Sequence, residues 1–545
     1  MWALLPSWSE WKPAFRAPGA DLLSGVIVAL VALPLALGFG ISSGLGAAAG
    51  LATAIVAGAL AAIFGGSRFQ VSGPTGAMTV VLVPIVTEHG ASGVLTVGLM
   101  AGIMLVALAF AGVGRAVRFM PVPVIEGFTA GIAVVIALQQ FPGALGVSGA
   151  EGEKVWQSAF DAVCRFFDDP HWTAPLSALV VAAVILIGGR FLPKLPFALV
   201  AVVVATMIAS VFDLPLARVG TIPVGLPAPS LGFLQLDQLT TLLLPALAIA
   251  ALAALESLLS ATAADAMAVG TRHDPDRELF GQGLANIAAP LFGGVPATGA
   301  IARTAVNVRS GARTKLAALT HAVILAGIVY LAGGLVADIP IAALAGVLLA
   351  TTVRMVEAAS LAAIARASRG DTLVMTITFL ITVAFDLVTA VVIGIGFALV
   401  LAVRAIAREA SMQQVPLDET DHLGDEHDLL RDHIVAYRID GPVFFAAAHR
   451  FLLELADVAD VKVVILRMSR VSALDTTGAL VLADAVTKLE HRHITVLMSG
   501  LRDDHRARLA AMGALPAGGE DAVFPDTDAA IAYARRLLPA TRKAR

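Results

Sequence analysis

A single cysteine, Cys164, stands in a chain of 545 residues. It excludes an intramolecular disulfide and any metal site built from several cysteines. Charge is scarce too: Asp, Glu, Lys and Arg make up 14% of the chain, against roughly 25% in soluble domains. The net charge of -4 is too small to imply a nucleic-acid partner. No P-loop is present, so ATP-driven pumping has no basis, and no metal-hydrolase motif marks an enzyme. The first 18 residues hold Glu10, Lys12 and Arg16 and no cleavable signal pattern, so the first span is expected to stay.

What is abundant is apolar sequence. Hydrophobic residues make up 58% of the chain, and its mean hydropathy is +0.85. Counting apolar runs against the roughly 20 residues a crossing helix needs gives about fourteen spans. The first seven begin near Leu22, Leu45, Val71, Val94, Pro121, Ala174 and Phe197. The second seven begin near Leu242, Gly281, Thr298, Thr314, Pro340, Thr372 and Leu387. The third, ninth and tenth are too short to cross alone. Seven plus seven predicts two halves of opposite orientation.

With the N-terminus inside, the inner connections carry basic residues throughout, among them Arg115, Arg118, Arg190, Lys194, Arg277, Arg313, Lys315 and Arg408. The outer connections hold only Lys154, Arg165 and Arg218. That asymmetry follows the positive-inside rule and puts both termini in the cytoplasm of a multi-pass inner-membrane protein.

Two stretches break the apolar pattern in the same way. Phe64-Gly65-Gly66 is followed by Pro74-Thr75-Gly76-Ala77, and Phe292-Gly293-Gly294 by Pro296-Ala297-Thr298-Gly299-Ala300. In a bilayer such breaks survive only where the freed backbone is buried in protein or lines a cavity. A matched pair points to the central site of an inverted-repeat transporter. Helices beginning after Gly73-Pro74 and after Pro296-Ala297 would aim free N–H groups and positive dipole ends at one spot, which suits an anion. Thr75 and Thr298 add hydroxyl donors, while Gly76 and Gly299 permit close approach. The blander explanation is tight helix packing through small residues, but the pairing favours a site.

Glu256 sits in the middle of the eighth span with no basic residue near it in sequence. An acid at that depth costs roughly 2.5 kcal/mol or more and is a functional candidate by default. Ser260, one turn on, shares its face. An anion approaching an ionised Glu256 is repelled, so a proton or Na+ is expected to bind with it. Arg303 is either a charge partner of Glu256 or an attractor of anions. Glu126 reads as a structural cap, Gln139 and Gln140 as interfacial hydrogen-bonding groups, and His273 and the tail histidines as solvated.

After Ser411 charged residues appear every few positions. Residues 411–428 form an acidic linker, and residues 429–540 alternate strands and helices as a small α/β domain. Residues 432–445 read as two extended runs around Asp440-Gly441-Pro442, residues 477–490 as a helix, and Asp475 as its cap.

These motifs together resemble the SulP anion transporters, the solute carrier 26 family. The segments that carry the resemblance are residues 21–44 (DLLSGVIVALVALPLALGFGISSG), 66–80 (GSRFQVSGPTGAMTV), 126–131 (EGFTAG), 256–267 (ESLLSATAADAM), 278–286 (ELFGQGLAN) and 292–307. Residues 441–445 (GPVFF) and 472–478 (SALDTTG) resemble the family's STAS domain. The resemblance implies residues 1–20 as a cytoplasmic start and residues 21–410 as a fourteen-segment core-and-gate transport domain. It also implies an elevator-like movement and a homodimer in membrane lipid.

The implied ligand site lies between the third and tenth segments, at Thr75, Gly76, Ala77, Ala297, Thr298 and Gly299, with Phe39 from the first segment. Sulfate-type members carry Pro-Gln and a Tyr where this chain has Pro34-Leu35 and Phe39. Sodium-coupled bicarbonate members resemble the first and third segments but carry Asp at the Glu256 position, followed by Thr. The Glu256 motif, ELFGQGLAN and residues 297–312 are more similar to proton-coupled dicarboxylate members. The expectation is therefore proton-coupled symport of a C4-dicarboxylate such as fumarate or succinate, with sodium-coupled bicarbonate or sulfate transport as the alternative. From another class, an anion-binding sensor acting on a cytoplasmic partner through STAS is the rival. Thr476 and Thr477 occupy the place where related bacterial regulators are phosphorylated. No cofactor is expected beyond the coupling proton or Na+, with Glu256 as the place for Na+.

Overall fold

The structure, a computed structural model, describes residues 4–115, 121–152, 154–191, 196–268, 272–385, 387–409, 411–414, 433–443 and 461–537. Arg118, Lys194, Phe444, Phe445 and the acidic linker residues 418–428 lie outside them. The chain divides into two compact units, Met1–Ile395 and Gly396–Arg545.

The first unit is helical. A short α1 (Trp8–Arg16) precedes α2 (Gly19–Ser42) and α3 (Ala47–Phe64), then a two-residue strand β1 (Ser72–Gly73) and the long α4 (Gly76–Phe110). Gly90, at φ +68°, interrupts α4 and separates the expected third and fourth segments. Next come α5 (Val122–Gln139), α6 (Phe141–Leu145), α7 (Val155–Asp168), α8 (Thr173–Phe191) and α9 (Phe197–Val211). The second half holds α10 (Leu243–Met267), α11 (Pro275–Leu291), β2 (Thr298–Gly299) and α12 (Ile301–Arg309). It continues through α13 (Leu316–Leu331), α14 (Gly333–Ala337), α15 (Ile341–Met355), α16 (Ala358–Ala367), α17 (Arg369–Ala384) and the start of α18 (Leu387–Glu409), whose residues from Gly396 belong to the second unit. Seven of the described stretches are long and apolar enough to cross a bilayer unaided.

Three expectations need correction. α11 begins at Pro275, not near Gly281: Asp274 accepts from the Asp276 and Arg277 N–H groups, and Pro275 opens the helix. Its charged first turn hid that start from a hydropathy count. α12 begins at Ile301, leaving Thr298 and Gly299 in extended backbone. α7 fell between the expected fifth and sixth spans because its 14 residues are too few to cross and are broken by Gln157, Asp161 and Arg165, with Ala159, Ala162 and Phe166 buried.

Small residues set the helix contacts, as they do where lipid offers no hydrophobic drive. A Cβ on Gly50 of α3 would stand 2.0 Å from the Ala36 carbonyl of α2. Asp21 of α2 accepts from the Arg313 and Thr314 N–H groups (2.6 and 3.0 Å) and from the Thr314 hydroxyl (2.7 Å), fastening α2 to the start of α13. Outward, Ile103, Leu176, Leu244 and Val400 are more than half exposed, the surface a bilayer requires.

The second unit contains a sheet in the order β3 (Ser411–Gln414), β4 (Ile434–Val443), β5 (Val463–Arg467), β7 (Thr495–Ser499), β8 (Val523–Phe524), with β6 (Val471–Leu474) also on β4. β3 is antiparallel to β4, and the other pairings are parallel. Its helices are α19 (Thr476–His491), α20 (Asp503–Ala511) and α21 (Thr527–Leu537). The expected two runs around Asp440-Gly441-Pro442 are one strand. Gly441, at φ +83°, absorbs the irregularity as a register shift against β6. The first four residues of the expected linker are the edge strand β3.

Candidate functional site

β1 and β2 pair antiparallel, Ser72 opposite Gly299 and Gly73 opposite Thr298. Because the strands run in opposite directions, α4 and α12 leave this bridge in opposite directions, and their N-termini converge on it. The first N–H groups of each helix have no acceptor within their own helix. Thr75, the N-cap of α4, does not cap it with its side chain.

The Thr75 hydroxyl instead donates to Glu256 Oε2 on α10 at 2.8 Å, and the Thr298 hydroxyl donates to the same oxygen at 2.6 Å. The two hydroxyl oxygens are 3.1 Å apart. The structure thus brings Thr75, Thr298 and Glu256 into one cluster. Gly76 faces the Phe39 ring, whose Cε1 is 3.1 Å from where a Gly76 Cβ would stand. Ala77 and Ala297 are buried on either side of the bridge. A Cβ on Gly299 would stand 2.0 Å from Gln70 Nε2, so only glycine fits there without displacing that amide.

Ser260 does not join the cluster. Its hydroxyl lies 3.1 Å from Thr304, which accepts from the Val71 N–H, so it braces the approach to β1. Ser257 does participate, accepting from the Gly299 N–H at 3.0 Å. Arg303, 1% exposed, donates through Nη2 to the Pro74 carbonyl at 2.5 Å. Its Nη1 is buried without a hydrogen-bond acceptor. Among the described residues it makes no ion pair with Glu256 within contact distance.

Behind the bridge lies a polar stripe that sequence reasoning quoted but gave no role: Glu278, Gln282 and Asn286 on α11, spaced i, i+4, i+8. Glu278 accepts from the Ser67 N–H and from Gln70 and Gln282 (2.9, 2.9 and 3.0 Å). Gln282 also donates to the Ser72 hydroxyl at 2.6 Å. Asn286 donates to the Ala297 carbonyl at 2.9 Å and accepts from the Ala297 N–H at 2.8 Å. The spacing on one face of an otherwise apolar helix was the available signal.

Elsewhere, Glu126 accepts from Ser360 at 2.7 Å, which fits a structural role. His273 is not solvated: its Nδ1 lies 2.7 Å from Asp265 Oδ2. His505 of the second unit is buried as well. Asp475 caps α19, accepting from the Gly478 N–H at 2.6 Å, and leaves Thr476 and Thr477 exposed on its first turn.

Fold and site together define a helical membrane protein in which two broken segments meet tip to tip beside a buried carboxylate. Residues 19–378 match the sulfate permease family and residues 430–530 the STAS domain. The chain belongs to the sulfate permease family of anion transporters and carries a C-terminal STAS domain. It is 34% identical over 519 residues to YvdB of Bacillus subtilis, which bears a provisional sulfate-transporter name, covering 93% of this chain and 96% of that protein. It is 31% identical over 518 residues to the bicarbonate transporter BicA of Synechocystis sp., covering 91% of each. The solved transmembrane domain of a cyanobacterial BicA superposes with a TM-score of 0.63 at 35% identity, covering 69% of this chain and 98% of that one. The inward-facing murine solute carrier 26 family member A9 anion transporter gives 0.85 at 18% identity, covering 98% and 94%, and shows the shared fold.

Proposed function

We propose that this chain is a secondary active symporter that couples uptake of a small anion to a proton carried by Glu256. The observation behind this reading is the convergence of two hydroxyls on one carboxylate oxygen. Each threonine hydroxyl has a single proton. When Glu256 is ionised, both protons are held by its Oε2, and neither hydroxyl donates to a ligand. The carboxylate's own charge also repels an anion. A proton on Oε2 makes the carboxyl a donor to one of the threonines. That threonine's proton then turns toward the ligand, between the N-termini of α4 and α12. Proton and anion therefore bind together.

The substrate proposed first is a C4-dicarboxylate such as fumarate or succinate. The second reading is bicarbonate with Na+, favoured by the similarity to BicA, with Glu256 and the two hydroxyl oxygens as Na+ ligands. The fourteen segments form two inverted repeats of seven, in an inner-membrane homodimer with both termini cytoplasmic. The core carries the bridge in an elevator-like movement, and the STAS domain offers Thr476 and Thr477 to a cytoplasmic partner or a phosphorylating enzyme.

The test is uptake of radiolabelled fumarate or succinate into proteoliposomes, with and without an inward proton gradient, beside Glu256→Gln. Gradient-driven uptake that the variant loses supports the proposal. Uptake of bicarbonate driven by Na+ alone moves the assignment to the second reading. Gradient dependence unchanged in Glu256→Gln removes Glu256 from coupling.

A further inference from the structure

α1 is a nine-residue helix with two unlike faces. At 3.6 residues per turn, Trp8, Trp11, Lys12 and Phe15 fall within about 100° of arc, and Glu10 and Ala14 fall opposite. The structure agrees. Trp8 is 68% and Phe15 61% exposed, their rings stacked at 5.6 Å, while Ala14 is fully buried. Lys12 and Arg16 are exposed beside the aromatic pair.

The buried face is held by charge. Glu10 pairs with Arg277 through both carboxylate oxygens, the Nη2–Oε2 contact being 3.0 Å, and Lys315 Nζ lies 3.1 Å from Oε2. Arg277 and Lys315 are themselves nearly buried, at the start of α11 and α13. Arg277 also donates to the Phe64 carbonyl, and Lys315 to that of Gly65.

We infer that α1 is an interfacial arm: its aromatic and basic face lies in an anionic headgroup layer, while Glu10 fastens it to α13 and to α11, the helix that holds the bridge. Three observations favour the bilayer as occupant. Only Ala17 and Pro18 separate α1 from α2, so its outer face continues into the exposed Leu22, Leu23 and Val26 of a spanning helix. Tryptophan beside an exposed aromatic suits the headgroup–acyl boundary, where an amphipathic ring has both its environments. Lys12 and Arg16 complement the negative charge of anionic lipid. The fastening has a functional side. α11 carries Gln282 and Asn286, which hold Ser72 and Ala297 of the bridge. The lipid grip of α1 thereby reaches the site, an effect that rests on the transport reading above.

The test uses the full-length chain with Trp8 as its sole tryptophan (Trp2, Trp11, Trp156 and Trp172 changed to Phe). It is reconstituted in phosphatidylcholine vesicles with or without phosphatidylglycerol, using lipids brominated at shallow or deep acyl positions. Trp8 fluorescence should be quenched by shallow bromines more than by deep ones. Lys12→Gln with Arg16→Gln should weaken that quenching only in the anionic vesicles. Fluorescence unchanged by bromine at either depth overturns the inference, as does emission that shifts with protein density and not with lipid, the mark of a second copy on this face. In parallel, anionic lipid should raise wild-type uptake several-fold and leave the Lys12, Arg16 double variant unmoved. Quenching without any lipid effect on uptake overturns the link to the site alone. Failure of all uptake with quenching intact counts against the transport reading rather than the arm.

Discussion

Thr75 and Thr298 lie 223 positions apart in the chain and 3.1 Å apart at their hydroxyl oxygens. Neither hydroxyl caps a helix; both serve a carboxylate from a third element. Two broken segments and one acidic helix thus form a single hydrogen-bonded unit.

Thr298→Val keeps the shape and removes a hydroxyl that donates to a charged acceptor. A hydrogen bond of this kind is worth about 1.5–3 kcal/mol, so the apparent KM should rise by about 10- to 100-fold. Thr298→Ser should stay near the wild type. Uptake kinetics at two pH values check both, and equal KM for all three proteins would remove Thr298 from the site.

Asn286→Leu orphans the buried Ala297 N–H and carbonyl, each at about 1–3 kcal/mol. The expected outcome is a lower melting temperature together with lost uptake. Asn286→Asp restores the acceptor but not the donor and should fall between. Differential scanning fluorimetry and uptake on the same preparations decide it.

Gly50→Ala forces a methyl group against the Ala36 carbonyl, at 2.0 Å in the unrelaxed structure. Backbone cannot swing aside as a side chain can, so α2 and α3 must separate. The expected loss is about 1–3 kcal/mol, read as a lower melting temperature in detergent with the ligand site chemically untouched.

Glu10 carries a pH signature. Burial alone would push its carboxyl up, but the Arg277 hydrogen bond and the Lys315 charge outweigh that and hold it below the usual 4.5. A lowered folded-state pKa means stability that is fully present above the unfolded value and lost as pH falls through the folded one. The wild type should therefore exceed Glu10→Gln in melting temperature at neutral pH, and the gap should close as pH drops below about 4.5. A gap that does not narrow at all as pH falls below that value contradicts the ion cluster.

Much of this architecture was legible because a bilayer permits few solutions. Apolar runs placed most of the helices between α2 and α18, though not α6, α7, α14 or α16, and Gly-Pro breaks in otherwise lipid-compatible sequence pointed to the bridge. The acid at Glu256 was conspicuous for the same reason. Features that depend on partners distant in the chain leave no such mark in the sequence. Ser260 shares the face of Glu256 on α10, yet Thr304 captures it. Ser257, facing the Gly299 N–H, could not be distinguished from any other helical serine. The start of α11 was hidden by charges whose partners lie on α1 and in the residues between α3 and β1. Thr298 was placed in the first turn of a helix because proline usually precedes one, whereas pairing with Gly73 holds it extended.

The two-residue pairing of β1 with β2 also makes this hydrogen-bonded unit indivisible. A chain severed in the connection between α9 and α10 would yield two membrane fragments, each holding one strand of the cradle and one threonine. Glu256 would reside in the second, with only half of its donors. Neither piece could build the cluster alone, and their co-production would restore it only by re-forming the register of Ser72 on Gly299. A substitution on one side of the bridge therefore meets its consequence in the other half of the chain.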